Sequence, residues 1–533
     1  MKKILTCAVL CAGLVGFTAC NDFLDEEPRS SLTLESYYQT TNQIISNVNY
    51  MYRNGVPDML SNMTGAYRGS SASVQCMLTG YFTNAFEGQE VDCSYARRLV
   101  RQDYTQSVCN YQTNDVWKNC YKIINIANGI IKHIDGVSEM SDSDKALYLA
   151  ETHFFRAWNY FYLVKMFGDV PMVTEPTEDA TEIQYPTRTA QSEVYTNVII
   201  PDLKDAVENL PAATFTSNGH RVTKYAAEMV LADVYMMLGQ YADAAPLLRD
   251  VIENSGASLL TNDDKALNSA YNKLRTTDDS AESIYAYEYD GSIANTGNLP
   301  THAFNGDAEA FFKESTTGSK YSLWVNVFGV SSTYLNVYED GDLRAQPNQF
   351  FHWTYEHPID HTTITFSSPQ NWYWYDYDAI INTGIGTKDW NIYRYAEALV
   401  SGAEAIAQSE GVTADAARYL AEVKARASMD GEDVSTIAAR LQGMSKQAFI
   451  EECWKERLRE FPLEMKIWDL CLRTQKFPSI SNETAGQVTF VDLIGATNGS
   501  GATFKSTDLY WPIPVEEIQR NPNLTQNDGY ARQ

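Results

Sequence analysis

Asn371 to Tyr377 reads NWYWYDY, and five of these seven residues are aromatic. Aromatic faces suit sugars, because the axial C–H face of a pyranose is apolar and slightly positive while the ring face is negative. Stacking supplies contact area, and neighbouring Asn, Asp and Glu side chains fix the hydroxyls. Asn371, Trp372, Tyr373, Trp374 and Tyr375 are therefore candidate ligand contacts, joined by Trp353 and Tyr355 from the nearby HWTYEHPIDH. Tyr81, Phe82 and Tyr95 form a second candidate patch, and Trp324 a third. The competing reading of the NWYWYDY run is a packed strand edge. Alternation would then bury Trp372 and Trp374 and expose Tyr373 and Tyr375.

Catalytic chemistry is weakly encoded. Glycosidases use two carboxylates, and Asp376 and Asp378 sit among the aromatics. On a strand, however, such a pair points to opposite faces and cannot flank one bond. His352, His357 and His361 with Asp360 form a histidine cluster, but spacings of five and four do not make a helical metal pair, and Pro358 breaks any helix. GSGATFKS at Gly499 to Ser506 resembles a phosphate-binding loop only loosely, since Phe504 stands where a glycine must precede the lysine. No G-x-S-x-G turn and no dinucleotide fingerprint occurs. The expectation is a binding protein rather than an enzyme, with no cofactor and no metal.

The elements that must position these residues are mainly helical. Leu34 to Tyr52 carries a helical pattern, and Gly55 to Asp103 is irregular. Val116, Tyr121, Ile124, Ala127, Ile131 and Ile134 share one stripe of a helix. Ser141 or Asp142 caps the next helix, which is apolar on more than one face and stops at Gly168. Ser192 to Leu210 is a helix expected to bend at Pro201. In Thr223 to Asn254, residues Leu231, Ala232, Tyr235, Gly239, Tyr241, Ala244 and Leu248 have the spacing of a tetratricopeptide repeat. Tyr393 to Ala427 repeats the small-residue pattern. Ser258 to Asp389 is rich in Gly, Asn, Thr and aromatics, and reads as loops with short strands and helices. Ser445 to Arg473 is helical with a break at Pro462, and Phe477 to Thr507 is irregular. Tyr510, Trp511 and Ile513 predict a packed C-terminal tail.

The N-terminus gives an address. Lys2 and Lys3 precede a largely apolar run from Ile4 to Phe17, and Thr18 and Ala19 lead into Cys20. This is the pattern of a cleaved export signal at residues 1–19, with Cys20 lipidated as the new N-terminus. The chain carries a formal charge of −27, which repels nucleic acid and anionic headgroups, so membrane attachment has to be covalent. No later segment is long and apolar enough to span a bilayer. Cys76, Cys93, Cys109, Cys120, Cys453 and Cys471 lack zinc-site spacing, and their disulfide state stays open, although Cys120 lies on an apolar helix pattern that favours a buried free thiol.

Taken in order, several segments resemble the SusD/RagB family of surface nutrient-binding lipoproteins of Bacteroidota. They are NDFLDEEP after Cys20, VWKNCYKIINIANGII at Val116 to Ile131, AETHFFRAWNYFYLVKMFGDVPMV at Ala150 to Val173, and EVYTNVIIPDLKDAVENLP at Glu193 to Pro211. HRVTKYAAEMVLADVYMMLG at His220 to Gly239, IYRYAEALVSGAEA at Ile392 to Ala405, VKARA at Val423 to Ala427 and the tail LYWPIPVEEIQRNPNLTQNDGY complete the set. The chain departs from the family where an acid-glycine-x-arginine run is usual: Glu464 is present, but Met465 replaces the glycine and the arginine is missing. Phe17 also replaces the usual leucine before the lipidated cysteine. A local kink, not a different fold, is expected near Met465.

The resemblance implies a mainly α fold of tetratricopeptide-like helical pairs with an irregular, loop-rich binding region. On that pattern residues 20–533 form one domain: a helical body at about 30–255 and 390–475, a binding region at about 256–389, and a packed tail at 476–533. It also implies a glycan ligand, a lipid anchor in the outer membrane facing outward, and a SusC-like TonB-dependent transporter as partner. Asp22, Asp25, Glu26 and Glu27 fit the acidic export mark of such lipoproteins. Peptide capture by the same fold is the alternative, and an anchored glycan-degrading enzyme a more distant one.

Overall fold

A computed structural model describes residues 37–61, 75–83, 106–178, 185–293, 308, 311–312, 328–357 and 359–530. Helix α1 (Thr41–Arg53) begins at a capping box: Thr40 Oγ1 accepts the Gln43 amide, and Gln43 Oε1 accepts the Thr40 amide. It buries Ile44, Asn47, Val48 and Met51, the spacing of one helical face. After α2 (Val56–Ser61), the long helices α3 (Gln106–His133) and α4 (Asp142–Phe167) pack antiparallel. Ser141 caps α4 by accepting the Asp144 amide, and Gly168 ends it at φ +72°. From Ala150 to Val164 every residue of α4 except His153 is buried, as expected of a helix apolar on several faces.

Helix α5 runs from Gln191–Val194 through a π-turn, Tyr195–Ile199, into Ile200–Asn209. The Ile200 amide donates to the Tyr195 carbonyl, five residues back, immediately before Pro201. Pro201 has no amide, so the widened turn takes the place of the expected bend. The hairpin α6 (Lys224–Met237) and α7 (Tyr241–Asn254) follows, and α7 packs on α9 (Tyr395–Glu410), which pairs with α10 (Ala414–Ala427). Successive antiparallel pairs thus stack side by side, α3 to α7 and on to α9 and α10, in the manner of a tetratricopeptide solenoid. Gly402 allows a close approach: a Cβ there would stand 2.8 Å from Ile252 Cδ1 on α7.

Between the hairpins lie α8 (Ala270–Thr276) and strands of short antiparallel ribbons, one of which also uses an earlier strand, β1. They are β1 (Phe82–Thr83) with β3 (Gly329–Val330), β2 (Ser283–Tyr287) with β6 (Trp390–Arg394), and β4 (His352–Glu356) with β5 (Thr363–Gln370). Strand β6 runs directly into α9, so the loop region is built onto the solenoid through continuous chain. Helices α11 (Val434–Gln442), α12 (Lys446–Glu460) and α13 (Ile467–Thr474), the ribbon β7 (Lys476–Ile480) with β8 (Val488–Asp492), and α14 (Val515–Arg520) complete the order. Trp511 and Ile513 of the tail are buried, and the Trp511 amide donates to Met166 O on α4. Among the described residues Cys76, Cys120, Cys453 and Cys471 are free and buried. Gly499, in the segment that resembles a phosphate loop, has a packing role: its amide donates to Thr79 O, and a Cβ would meet Gly80 O at 2.6 Å.

A buried ion network joins the loops to the solenoid. Arg394, at the end of β6, donates to Glu464 Oε1 at 2.8 Å, Glu460 Oε1 at 2.7 Å and Glu282 Oε2 at 3.1 Å. Arg426 on α10 pairs with Glu282 and Glu460, and Arg344 reaches Asp342, Glu456 and Glu460. Arg459 pairs with Glu452, Glu456 and Glu339. Burial raises the carboxyl of Glu460, but Arg426, Arg394 and Arg344 outweigh it and leave the pKa below the ordinary value. Glu456 is lowered in the same way by Arg344, Lys424 and Arg459. Groups held low contribute stability above the unfolded-state pKa and lose it as pH falls through the folded value. Glu460→Gln should therefore cost about 3–5 kcal/mol at pH 7, by leaving buried guanidinium groups unpaired. Chemical denaturation from pH 7 down to pH 3 should show the deficit shrinking below the ordinary glutamate pKa.

The break after α12 falls where the sequence departs from the pattern of the family it resembles. A short 3-10 turn, Pro462–Glu464, is followed by Met465 in the left-handed region at φ +62°, ψ +34°. The glycine that the resemblance leads one to expect here would adopt this conformation freely, whereas other residues face a cost of roughly 1–2 kcal/mol. Met465 is 5% exposed, so apolar burial offsets the strain. At an ordinary site glycine is worse than alanine. Here the order should reverse: Met465→Ala, which loses the burial and keeps the strain, should melt below Met465→Gly, as read by thermal unfolding of both variants.

Candidate functional site

A cleft of about 300 Å³ opens where α8, the NWYWYDY segment, the loop before β6 and the start of β6 converge. The aromatic run is not a strand. β5 ends at Gln370, and Trp372–Trp374 forms a 3-10 turn followed by a π-turn at Ala379–Thr383. The strict alternation of a strand is therefore lost: Trp374 is buried, while Trp372, Tyr373 and Tyr375 are half-buried.

These aromatics divide the work. Trp372 stacks on Tyr375, with ring centroids 4.7 Å apart and planes 6° from parallel. Arg275 lies 4.8 Å over the Trp372 ring and donates to Tyr375 O at 2.7 Å, and the Trp372 indole donates to Asn272 Oδ1. Trp372 is thus held as a support against α8 and is not among the residues lining the cleft. Tyr373, Trp374 and Tyr375 do line it. Asn371 is buried and its amide donates to Phe328 O. Tyr355 is buried in a small second core with Phe312, Phe366 and Ile380, and Trp353 is half-buried against the main core. Tyr81 and Phe82 also belong to the core: Tyr81 stacks on Phe477 and donates to Pro478 O, and Phe82 stacks on Phe328. Tyr95, Trp324 and Cys20 lie outside the described residues.

The cleft recruits residues that periodicity could not single out. Tyr377 is 42% exposed. Trp390 packs near Trp374, with centroids 6.2 Å apart, and Tyr289 comes from the segment after β2. Charged groups rim these rings. Lys388 pairs with Asp278 at 3.1 Å, Asp278 accepts the Asp389 amide, and Asp389 accepts the Tyr289 amide. Three lining residues carry buried polar atoms without a hydrogen bond: Arg275 Nε, Trp374 Nε1 and Glu464 Oε2. A donor set with acidic acceptors beside aromatic faces can hold a polyhydroxylated ligand.

The two carboxylates of the aromatic run are used locally. Asp376 Oδ1 accepts the Ala379 amide at 3.1 Å, and Asp378 Oδ1 accepts the Asn382 side-chain amide at 2.8 Å. They sit in a capped turn, not on opposite faces of a strand, so the expected reason for their separation is replaced by another. The histidines are also dispersed in role. His357 is fully buried, with its Nδ1 accepting the Ile359 and Asp360 amides. His361 is exposed beside Glu356, and His352 packs edge-on to Tyr355 and Trp372.

The descriptions of related proteins agree with this architecture. A family model described as starch-binding associating with outer membrane matches residues 22–236, and the SusD family model matches residues 282–530. The SusD-like protein P2 of Formosa agariphila is 25% identical over 99% of this chain and 100% of its own length. A SusD superfamily protein from Parabacteroides distasonis superposes with a TM-score of 0.75 at 24% identity, covering 92% of this chain and 99% of that one. Surface glycan-binding protein A from Bacteroides thetaiotaomicron, solved in complex with laminarihexaose, has a TM-score of 0.66 at 18% identity, over 92% and 99% of the two chains. A helical solenoid that carries a loop-rich region is thus the architecture this chain shares with these structures. The chain belongs to the SusD/RagB family.

Burial raises the Asp389 carboxyl to about 6, with Asp278 adding to it. The folded state therefore holds a proton more tightly than the unfolded chain, and stability attributable to this group is lost as pH rises from the unfolded value through the folded one. Asp389→Asn, whose side-chain oxygen can still accept the Tyr289 amide, should raise the melting temperature at pH 7. The gain should vanish near pH 4.

Proposed function

We infer that the protein is a non-catalytic glycan-binding lipoprotein, anchored through Cys20 in the outer leaflet of the outer membrane, that presents captured saccharide to a TonB-dependent transporter of the SusC type. The cleft carries this reading. Tyr375, Tyr377, Tyr289 and Trp390 bring aromatic surface to one opening, while Arg275, Lys388, Asp278 and Asp389 surround it with hydroxyl partners. The family match and the laminarihexaose complex of a similar structure support a saccharide as the ligand class. The helical turns that occupy Asp376 and Asp378 support binding without turnover. Anchoring adds effective concentration: a ligand bound by a few stacking contacts stays near the transporter that takes it up.

Binding is tested with mature protein against laminarihexaose, malto-oligosaccharides and a peptide panel by calorimetry. Tyr377→Ala should weaken binding of the preferred glycan about tenfold, as expected for one lost stacking contact of about 1.4 kcal/mol. Tyr81→Phe, in the core, should bind as the parent does. Equal affinity of parent and Tyr377→Ala would sink the cleft assignment, and shortening of the glycan chains on prolonged incubation would sink the non-catalytic reading.

A further inference from the structure

Among the described residues six charged side chains line the cleft, Asp278, Asp376, Asp389 and Glu464 against Arg275 and Lys388. Part of this charge is matched within the wall. Lys388 Nζ lies 3.1 Å from Asp278 Oδ1 and donates to the Asp389 main-chain oxygen at 3.1 Å. Glu464 faces Arg394 at 2.8 Å and Lys466 at 3.9 Å. Cancelling these pairs leaves Asp376 and Asp389 against Arg275. Acid therefore exceeds base by either count, four to two before the pairs are cancelled and two to one after.

The surplus acids keep their charge. Asp376 Oδ1 accepts the Ala379 amide and Asp389 Oδ1 the Tyr289 amide, and an amide fills a lone pair without cancelling a charge. Burial holds the Asp389 carboxyl at about 6, with Asp278 and Glu288 adding to the rise and Lys388 opposing it, so the group is mostly ionised at pH 7. Arg275 is engaged in the wall: it lies 4.8 Å over the Trp372 ring and donates to Tyr375 O at 2.7 Å and to Asn272 Oδ1 at 3.4 Å. Pairing with an incoming anion would draw it from that support. Tyr373, Trp374 and Trp390 give the cleft low-dielectric walls, which concentrate the field of whichever sign prevails.

Hydrogen-bond chemistry runs the same way. An ionised carboxylate only accepts, whereas a sugar hydroxyl donates as well as accepts. A uronate or sulfate on the ligand is again an acceptor without a proton to give. A lining whose surplus groups are acceptors therefore complements hydroxyls and opposes anions in both charge and hydrogen bonding. The chain's formal charge of −27 adds repulsion at longer range.

We propose that the cleft selects neutral glycans, chains whose sugars carry hydroxyls and no carboxylate or sulfate, and rejects uronate-containing and sulfated ones. This selectivity rests on the reading of the cleft as a saccharide site and narrows its ligand class.

Calorimetry on the mature protein tests it with matched chains. Laminarihexaose, maltohexaose and galactohexaose are each compared with the same chain oxidised at its primary hydroxyls to the uronate, and with the methyl ester of that uronate. The hexamer that binds most tightly should lose at least about tenfold in affinity on oxidation and recover on esterification, which removes the charge without reducing the size. The loss should shrink as NaCl rises from about 20 to about 500 mM. Asp376→Asn together with Asp389→Asn, each still able to accept its amide, should narrow the ratio of neutral to oxidised affinity. Lys388→Gln, which uncovers Asp278, should widen it, whereas a merely structural disturbance would weaken both ligands alike. A uronate bound as tightly as its neutral parent, or an ester bound no better than the acid, overturns the selectivity and leaves the saccharide reading standing. Binding of no chain, neutral or charged, overturns that reading and the selectivity with it. Should the variants fail to fold, the acid-to-ester ratio of the parent protein decides alone.

Discussion

Four arginines, Arg344, Arg394, Arg426 and Arg459, are nine-tenths or more buried against Glu282, Glu456, Glu460 and Glu464, and the loop region depends on that charge balance. Each charge removed from water carries a desolvation cost of several kcal/mol, recovered only when every partner is in place. The network is therefore weak evidence of extra stability but strong evidence of a single arrangement. Glu282 precedes β2, Arg394 ends β6, Arg426 lies on α10, Glu460 ends α12 and Arg344 comes from the loops. Five segments far apart in sequence can satisfy these pairs in one mutual placement, and a slip of one residue would leave a guanidinium bare.

The network also sits under the cleft. Glu464 bonds Arg394 through one carboxylate oxygen, and its residue lines the cleft above. Here burial wins over Arg394 and Lys466 and raises the Glu464 carboxyl, in contrast to Glu460, where three arginines win over burial. The same desolvation thus acts on both, and the number of cations within reach decides the sign. Tyr373, between the two, has its hydroxyl pKa raised by burial and then by Glu464. Trp390 begins β6, whose last residue is Arg394, so cleft wall and ion network share one five-residue strand. A cleft made mostly of loops gains rigidity this way without a wide sheet of its own.

Much of the scaffold was legible in the sequence because helices bury stripes at fixed spacing. The small-residue pattern of Leu231 to Leu248 and the cap at Ser141 reappear as α6, α7 and α4. The substitution at Met465 also reads correctly as a local event: the backbone keeps the left-handed turn that glycine would take, and the methionine side chain is buried to compensate. The ion network was hidden because ERLREFPLE, read alone, is an ordinary charged helix. Its burial comes with Arg344, Arg394 and Arg426, which all precede it and lie 116, 66 and 34 residues before Glu460. The contacts of His220 with Asp279 at 2.9 Å and with Glu288 at 2.5 Å were hidden for the same reason, since no spacing connects those loops.

The lining of the candidate cleft was half legible, and the cause lies in what aromatic density means. A run such as NWYWYDY marks a place where rings are needed, but a ring can bind a ligand only through a face that its neighbours leave open. Trp372 has Tyr375 on one side and Arg275 over its ring, and the indole N–H is taken by Asn272. Its contribution is to hold Tyr375 and Arg275 where they line the cleft. The same argument sets aside Tyr81 and Phe82, which stack on Phe477 and Phe328, and Tyr355, which is buried among Phe366, Phe312 and Ile380. Open aromatic surface instead comes from Tyr377, two residues past the part of the run first chosen, while Tyr289 and Trp390, from distant segments, are largely buried and turn only part of their surface to the cleft. Composition places aromatics near a ligand; only the packing around each ring decides which of them is a platform and which is its support.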